Sequence, residues 1–152
     1  MFRGINPLNL DSKGRIVMPS RYRERVREEA DGCLILTIDT EEPCLLLYML
    51  KDWQEIEKKV SALPSFNKAV RRIQRLLVGH ATDVDMDANG RLLVPPALRQ
   101  YANLEKKVVL VGQGAKFELW NESSWEAKRK EWLEEANGDL EGMPEELLNL
   151  SI

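Results

Sequence analysis

Residues 8–19, Leu8-Asn9-Leu10-Asp11-Ser12-Lys13-Gly14-Arg15-Ile16-Val17-Met18-Pro19, recur 76 positions later. The second version reads Val84-Asp85-Met86-Asp87-Ala88-Asn89-Gly90-Arg91-Leu92-Leu93-Val94-Pro95, with Asp, Gly, Arg and Pro at identical spacing. The correspondence continues with four residues fewer in a later loop: Leu45-Leu46-Leu47-Tyr48 answers Phe117-Glu118-Leu119-Trp120, and Trp53 answers Trp125. A match over that many ordered features marks a duplicated unit. A unit of about 50 residues seldom buries enough apolar surface to stand alone. The two copies are therefore expected to interleave about one pseudo-twofold axis and share a core.

Each copy reads alike. A short strand ends at Asp, a Gly-containing turn follows, and Arg-Ile-Val-Met or Arg-Leu-Leu-Val forms the next strand. Pro19-Ser20 and Pro95-Pro96 open short helices, where proline sacrifices no hydrogen bond. Two further strand pairs are expected at 33–38 with 45–49 and at 107–111 with 117–120, joined through Glu42-Pro43 and Gly112-Gln113-Gly114. Their apolar runs are continuous, so both faces need cover. Each copy closes with an amphipathic helix: Trp53, Ile56, Val60 and Leu63 in the first, Trp125, Trp132, Leu133 and Ala136 in the second, with Ser123 to Glu126 as a capping box. Between the copies, Phe66, Ala69, Val70, Ile73, Leu76 and Leu77 form one helical face and Lys68, Arg71, Arg72 and Arg75 the other. The fold class is α+β, mainly β with short helices.

The net charge of −3 hides an asymmetry. Beyond Lys130 stand seven acids and no Lys or Arg, so residues 1–130 hold 22 basic against 18 acidic residues. Residues 3–27 alone hold seven basic and two acidic. Phosphate binding needs a local basic patch, not a high overall pI. The arginine-rich segment 21–27 reads by default as a solvated helix face.

Asp11 can accept backbone N–H groups of the turn that follows it, and Gly14 supplies a positive φ. Such a loop projects Lys13 and Arg15. An arginine on a stiff hairpin can reach guanine O6 and N7, and a nearby lysine can neutralise phosphate. Asp11 and Arg15, four apart, can equally just brace each other. The second loop has Asn89 in place of Lys13 and follows Asp83 and Asp85, which repel phosphate. If one copy reads DNA it is the first, with Arg15, Lys13 and Gly14 as the candidate set, whereas Asp11, Asp87, Gly90 and Arg91 read as turn architecture.

Enzymatic signatures are weak. Gly112 and Gly114 lack the third glycine of a dinucleotide-binding turn, and the segment after them reads as a strand. His80 has no neighbouring nucleophile motif, and no serine-hydrolase, Walker or zinc-protease pattern occurs. Cys33 and Cys44 read as reduced, buried thiols, and no metal site or cofactor is expected. The longest apolar run, 44–50, is seven residues against about 20 for a membrane span. The start carries no signal-peptide pattern, so a cytoplasmic location is expected.

Met1-Phe2-Arg3-Gly4, the two Asp-x-x-Gly-Arg loops, the stretch 71–81 and Lys116-Phe117-Glu118-Leu119-Trp120 together resemble the MraZ family over essentially the whole chain. That resemblance implies a duplicated AbrB-like swapped-hairpin barrel with internal pseudo-twofold symmetry, assembled into a homo-oligomeric ring. The first AbrB-like repeat would occupy 5–52, connecting helices 53–80, the second repeat 81–124, and a C-terminal helix and acidic tail 125–152. It further implies a nucleoid-associated transcription regulator that binds promoter direct repeats in double-stranded DNA and represses a division and cell-wall gene cluster including its own gene. The family's DNA-binding arginine falls on Arg15 and the basic position before it on Lys13. Arg3 is a possible accessory contact.

Overall fold

The computed structural model describes residues 1–135 and 142–151. They form two compact units, Met1–Glu122 and Ser123–Ile152. The first contains β1 (Phe2–Asn9), β2 (Arg15–Val17), helix α1 (Ser20–Ala30), β3 (Cys33–Ile38), β4 (Leu45–Met49), α2 (Leu50–Ser61) and α3 (Lys68–Ile73), which runs into a π-helical turn (Gln74–Val78). The second copy follows as β5 (Thr82–Asp85), β6 (Arg91–Leu93), α4 (Pro96–Tyr101), β7 (Lys107–Gly114) and β8 (Lys116–Asn121). The architecture is α+β, mostly antiparallel strands with short helices.

Six strands make one sheet in the order β1-β7-β8-β4-β3-β5, and β2 pairs with β6 in a separate ribbon. The pairing crosses between the copies. The opening strand of the first copy, β1, pairs with β7 of the second (Phe2↔Gly114 to Asn9↔Lys107), and β5 pairs with β3 of the first (Cys33↔Asp85 to Leu36↔Thr82). The ribbon joins Arg15 to Leu93 and Val17 to Arg91, and β4 joins β8 at the centre.

This exchange explains the shared core. Ile16, Met18, Tyr22 and Val26 of the first copy pack with Leu92, Val94, Leu98 and Ala102 of the second, around Phe2 and Phe117. The rings of Phe2 and Phe117 stack at 4.2 Å, and the Tyr22 ring meets Phe117 edge-on at 5.0 Å. Successive apolar residues on β3 and β4 serve two faces. Leu34, Leu36, Leu45 and Leu47 enter this core, whereas Ile35, Leu46 and Tyr48 pack against Trp53, Ile56, Leu77 and Val78 on the opposite side. Thr37, fully buried, donates its hydroxyl to the Leu77 carbonyl at 2.6 Å, satisfying a backbone group of the π-helical turn.

Several expectations change. β1 spans eight residues, because β7 offers it a partner along its whole length. For the same reason Gly112-Gln113-Gly114 lies within β7, opposite Gly4, Arg3 and Phe2, and the turn shrinks to Ala115. The four missing residues of the second copy fall in the helical segment between the repeat's proline and a left-handed residue: Asp31 (φ 52°) stands 12 positions after Pro19, and Asn103 (φ 51°) eight after Pro95. Asn67 caps α3 through its side chain, so Phe66 stands outside the helix and is 90% exposed. Cys44 is buried, but Cys33 is only half-buried.

Helix α5 extends from Glu122 to Glu135, so Ser123 lies inside the first turn and does not cap it. Trp125 and Trp132 meet edge-on at 6.0 Å. Ala136 lies outside the described residues, as do Asp139 and Glu141 of the acidic tail. A short helix α6 follows at Glu145–Leu148. No described helix is long and apolar enough to cross a membrane.

Candidate functional site

The first loop is held by its own aspartate. Asp11 Oδ1 accepts the N–H groups of Lys13 (2.9 Å) and Arg15 (2.8 Å), and Oδ2 accepts Arg15 Nε at 2.8 Å. The main chain closes the turn: Gly14 N–H donates to Asp11 O, and Asp11 N–H to Arg15 O. The Arg15 backbone N–H, more than any other group, holds the Asp11 carboxyl below the usual carboxylate range. Gly14 at φ +82° supplies the left-handed step.

The second loop repeats this geometry. Asp87 Oδ1 accepts Asn89 N–H (2.9 Å) and Arg91 N–H (2.8 Å), and Oδ2 accepts Arg91 Nε (2.9 Å). Gly90 has φ +79°. The loops also lock each other. Val94 N–H donates to Gly14 O and Met18 N–H to Gly90 O, both at 2.8 Å. On the ribbon between them Ile16 and Leu92 point into the core, while Val17 and Leu93 are exposed. Arg15 and Arg91 share that outer face through the two-residue alternation of strands.

Each loop glycine is covered by an arginine from the other copy. A Cβ on Gly14 would lie 2.6 Å from Cζ of Arg99 on α4, and a Cβ on Gly90 would lie 2.5 Å from Nε of Arg23 on α1. The glycines thus serve close approach as well as φ. Arg23 and Arg99 both stand four residues after the repeat's proline. That shared position is the sequence signal for both, and it becomes informative only once the copies are known to interleave.

The arginines of α1 combine exposure, full at Arg21 and Arg27 and partial at Arg23 and Arg25, with hydrogen bonds to their surroundings. Arg23 Nε donates to Met18 O at 2.7 Å, Arg27 donates to Ala88 O at 3.0 Å, and Arg21 donates to the Asn6 side chain. Arg25 pairs with Glu29 at 3.2 Å and lies 4.3 Å above the Phe2 ring. Arg27 belongs to the extra turn that α4 lacks, so no arginine ties the carbonyls of the first loop in this way among the described residues. Lys13 is exposed. The two loops are exposed alike, and the first is the more cationic.

Arg3 is remote from the loop. It sits on β1 six residues before Asn9, about 20 Å away at a strand's ~3.3 Å rise per residue. Its carbonyl accepts the Tyr22 hydroxyl. His80 Nδ1 bonds to Leu76 O at 2.7 Å, a local role in the turn that follows the π-helical segment. Asp39, Cys44 and Glu118 converge, with ligand atoms within 4.8 Å of one another. Two of the three already serve the fold: Asp39 accepts the N–H groups of Glu41 and Glu42, and Glu118 accepts Trp120 Nε1 at 2.9 Å. Burial pushes the Cys44 thiol and the Glu118 carboxyl up.

The sequence profile of the family described as "MraZ protein, putative antitoxin-like" matches residues 1–76 and again 77–141. The chain belongs to the MraZ family. A protein named transcriptional regulator MraZ from Legionella pneumophila strain Corby is 57% identical over 152 residues, the whole of both chains. Relatives of the same name from Coxiella burnetii strain Dugway 5J108-111 and Halorhodospira halophila are 56% and 52% identical, again over the full length of both chains. The two halves of this MraZ-family chain therefore match one family profile twice, as its paired loops repeat one geometry.

Proposed function

We propose that this chain is a sequence-specific DNA-binding transcription regulator that reads promoter direct repeats through the Asp11–Arg15 loop. It acts in the cytoplasm on the nucleoid, without catalysis, as a repressor of a division and cell-wall gene cluster that includes its own gene. The supporting observation is Arg15 on the outer face of the β2–β6 ribbon, fixed through Nε by Asp11 while its terminal nitrogens have no acceptor among the described residues. A two-stranded ribbon fits the major groove, and a bidentate arginine–guanine contact is worth about 1–3 kcal/mol of discrimination. Lys13 neutralises phosphate beside it, and Gly14 supplies the left-handed step between the two cations. Asp87, Gly90 and Arg91 hold the second loop as architecture.

Strand exchange between the copies supports an AbrB-like swapped-hairpin barrel with pseudo-twofold symmetry, its repeats at 5–52 and 81–124, connecting helices at 53–80 and a C-terminal segment at 125–152. In a homo-oligomeric ring, several such loops engage regularly spaced repeats and gain affinity through effective concentration. A duplex with several repeats should bind far more tightly per repeat than a single-repeat duplex of equal length. Equal affinity per repeat on both would defeat the ring reading.

The family description as antitoxin-like favours a second reading, a module that binds a protein partner. Stoichiometric capture of one partner by a chain with no preference for repeat DNA would select it.

A further inference from the structure

We propose that Arg99, carried by α4 of the second copy, is a phosphate-contacting residue of the first copy's loop. The inference rests on the DNA-reading assignment of that loop and adds a residue that lies 84 positions beyond Arg15 in the sequence.

Arg99 and Arg23 occupy equivalent places, each with its guanidinium against a loop glycine of the other copy. Their hydrogen bonding differs. Arg23 Nε donates to the Met18 carbonyl at 2.7 Å. Arg99 Nε is buried with no hydrogen-bond partner. Leaving a buried donor unsatisfied is unfavourable, and for a charged group more so. The asymmetry falls at the first loop and not at the one Arg27 ties down.

The position suits an anion. Gly14 lies between Lys13 and Arg15, so a guanidinium resting on it places a third cation at the loop's base. Arg99 also lines a shallow groove with Pro96, Gln100, Asn103 and Glu105. No ion pair joins Glu105 to Arg99 among the described residues, so the terminal nitrogens of Arg99, and not its buried Nε, are the donors left for an incoming phosphate oxygen. At the second loop the equivalent cation is spent on Met18, and Asp83 and Asp85 stand nearby in sequence. The same fold thus presents a free guanidinium at one loop and a tied one at the other.

The test is the salt dependence of DNA binding, read by fluorescence anisotropy on a multi-repeat duplex and a scrambled duplex of equal length. Arg99→Gln should weaken binding to both duplexes by a similar factor. Over about 50 to 200 mM salt its affinity should fall roughly three- to fourfold less per engaged loop than that of the wild type, the mark of one lost phosphate contact. Arg99→Lys should keep the wild-type salt slope, and Arg23→Gln should match the wild type on both duplexes. An unchanged slope in Arg99→Gln overturns the proposal, as does Arg99→Lys losing as much as Arg99→Gln, which would make the residue a brace. If Arg15→Ala, run alongside, also binds like the wild type, the loop assignment itself fails. Loss of repeat preference in Arg15→Ala, with Arg99→Gln unaffected, removes only Arg99.

Discussion

Asp11 grips Arg15 at two points, its Oδ1 on the backbone N–H and its Oδ2 on Nε, both at 2.8 Å. The same carboxylate that closes the turn aims the guanidinium, so loop shape and side-chain direction depend on one group. Asp11→Ala should therefore abolish repeat preference while the circular dichroism spectrum stays that of the wild type. Asp87→Ala removes the equivalent grip on Arg91 and should leave repeat preference in place. DNA binding by the two variants, compared at one salt concentration, checks the contrast.

The two glycines separate stability from recognition. A side chain at Gly14 or Gly90 meets a positive φ and an arginine from the other copy. Left-handed backbone alone costs a non-glycine residue about 1–2 kcal/mol. Gly14→Ala and Gly90→Ala should both lower the midpoint of urea unfolding, and by similar amounts. Only Gly14→Ala should also lose DNA binding. Equal loss in both would mean that the loops are read alike.

The repeat and its loop chemistry were legible because the decisive hydrogen bonds are local: Asp11 to Arg15 and Asp87 to Arg91 each span four residues. What the sequence concealed was long-range. Nothing in residues 2–9 announces that β7 will pair with all of them, so the full length of β1 and the strand character of Gly112 and Gly114 were out of reach. The α1 arginines look solvated by helical periodicity, yet Arg23 and Arg27 reach a loop some 60 residues on. The Arg99–Gly14 approach has the same origin, since it exists only when the copies interleave.

The shared core predicts a large effect at its centre. Phe117 is 1% exposed and touches both Phe2 and Tyr22, so it links strands of both copies to α1. Phe117→Ala should cost about 3–5 kcal/mol in urea unfolding, through lost burial and the cavity left behind. Loss of both loops' geometry should accompany it in a single transition, because neither copy has a core of its own.

Glu118 gives the fold a pH dependence. Burial raises its carboxyl above the ordinary 4.5, against the Trp120 N–H bond that lowers it. The folded state then binds this proton more tightly than the unfolded chain does. Its contribution to stability declines as pH rises through about 4.5 and levels off above the raised folded value. Glu118→Gln retains an acceptor for Trp120 and carries no charge. Urea unfolding between pH 4 and 7 should show the variant gaining stability relative to the wild type as pH rises; a constant difference would contradict this.

In the proposed function Arg15 reads bases while the rest of the loop holds it in place. Fluorescence anisotropy of wild type and Arg15→Ala on a multi-repeat promoter duplex and on a scrambled one tests it directly, with hydrodynamic size checked for both proteins. Arg15→Ala should keep its size and its weak binding to scrambled DNA but no longer prefer the repeats. Undiminished preference for the repeats in Arg15→Ala would contradict it.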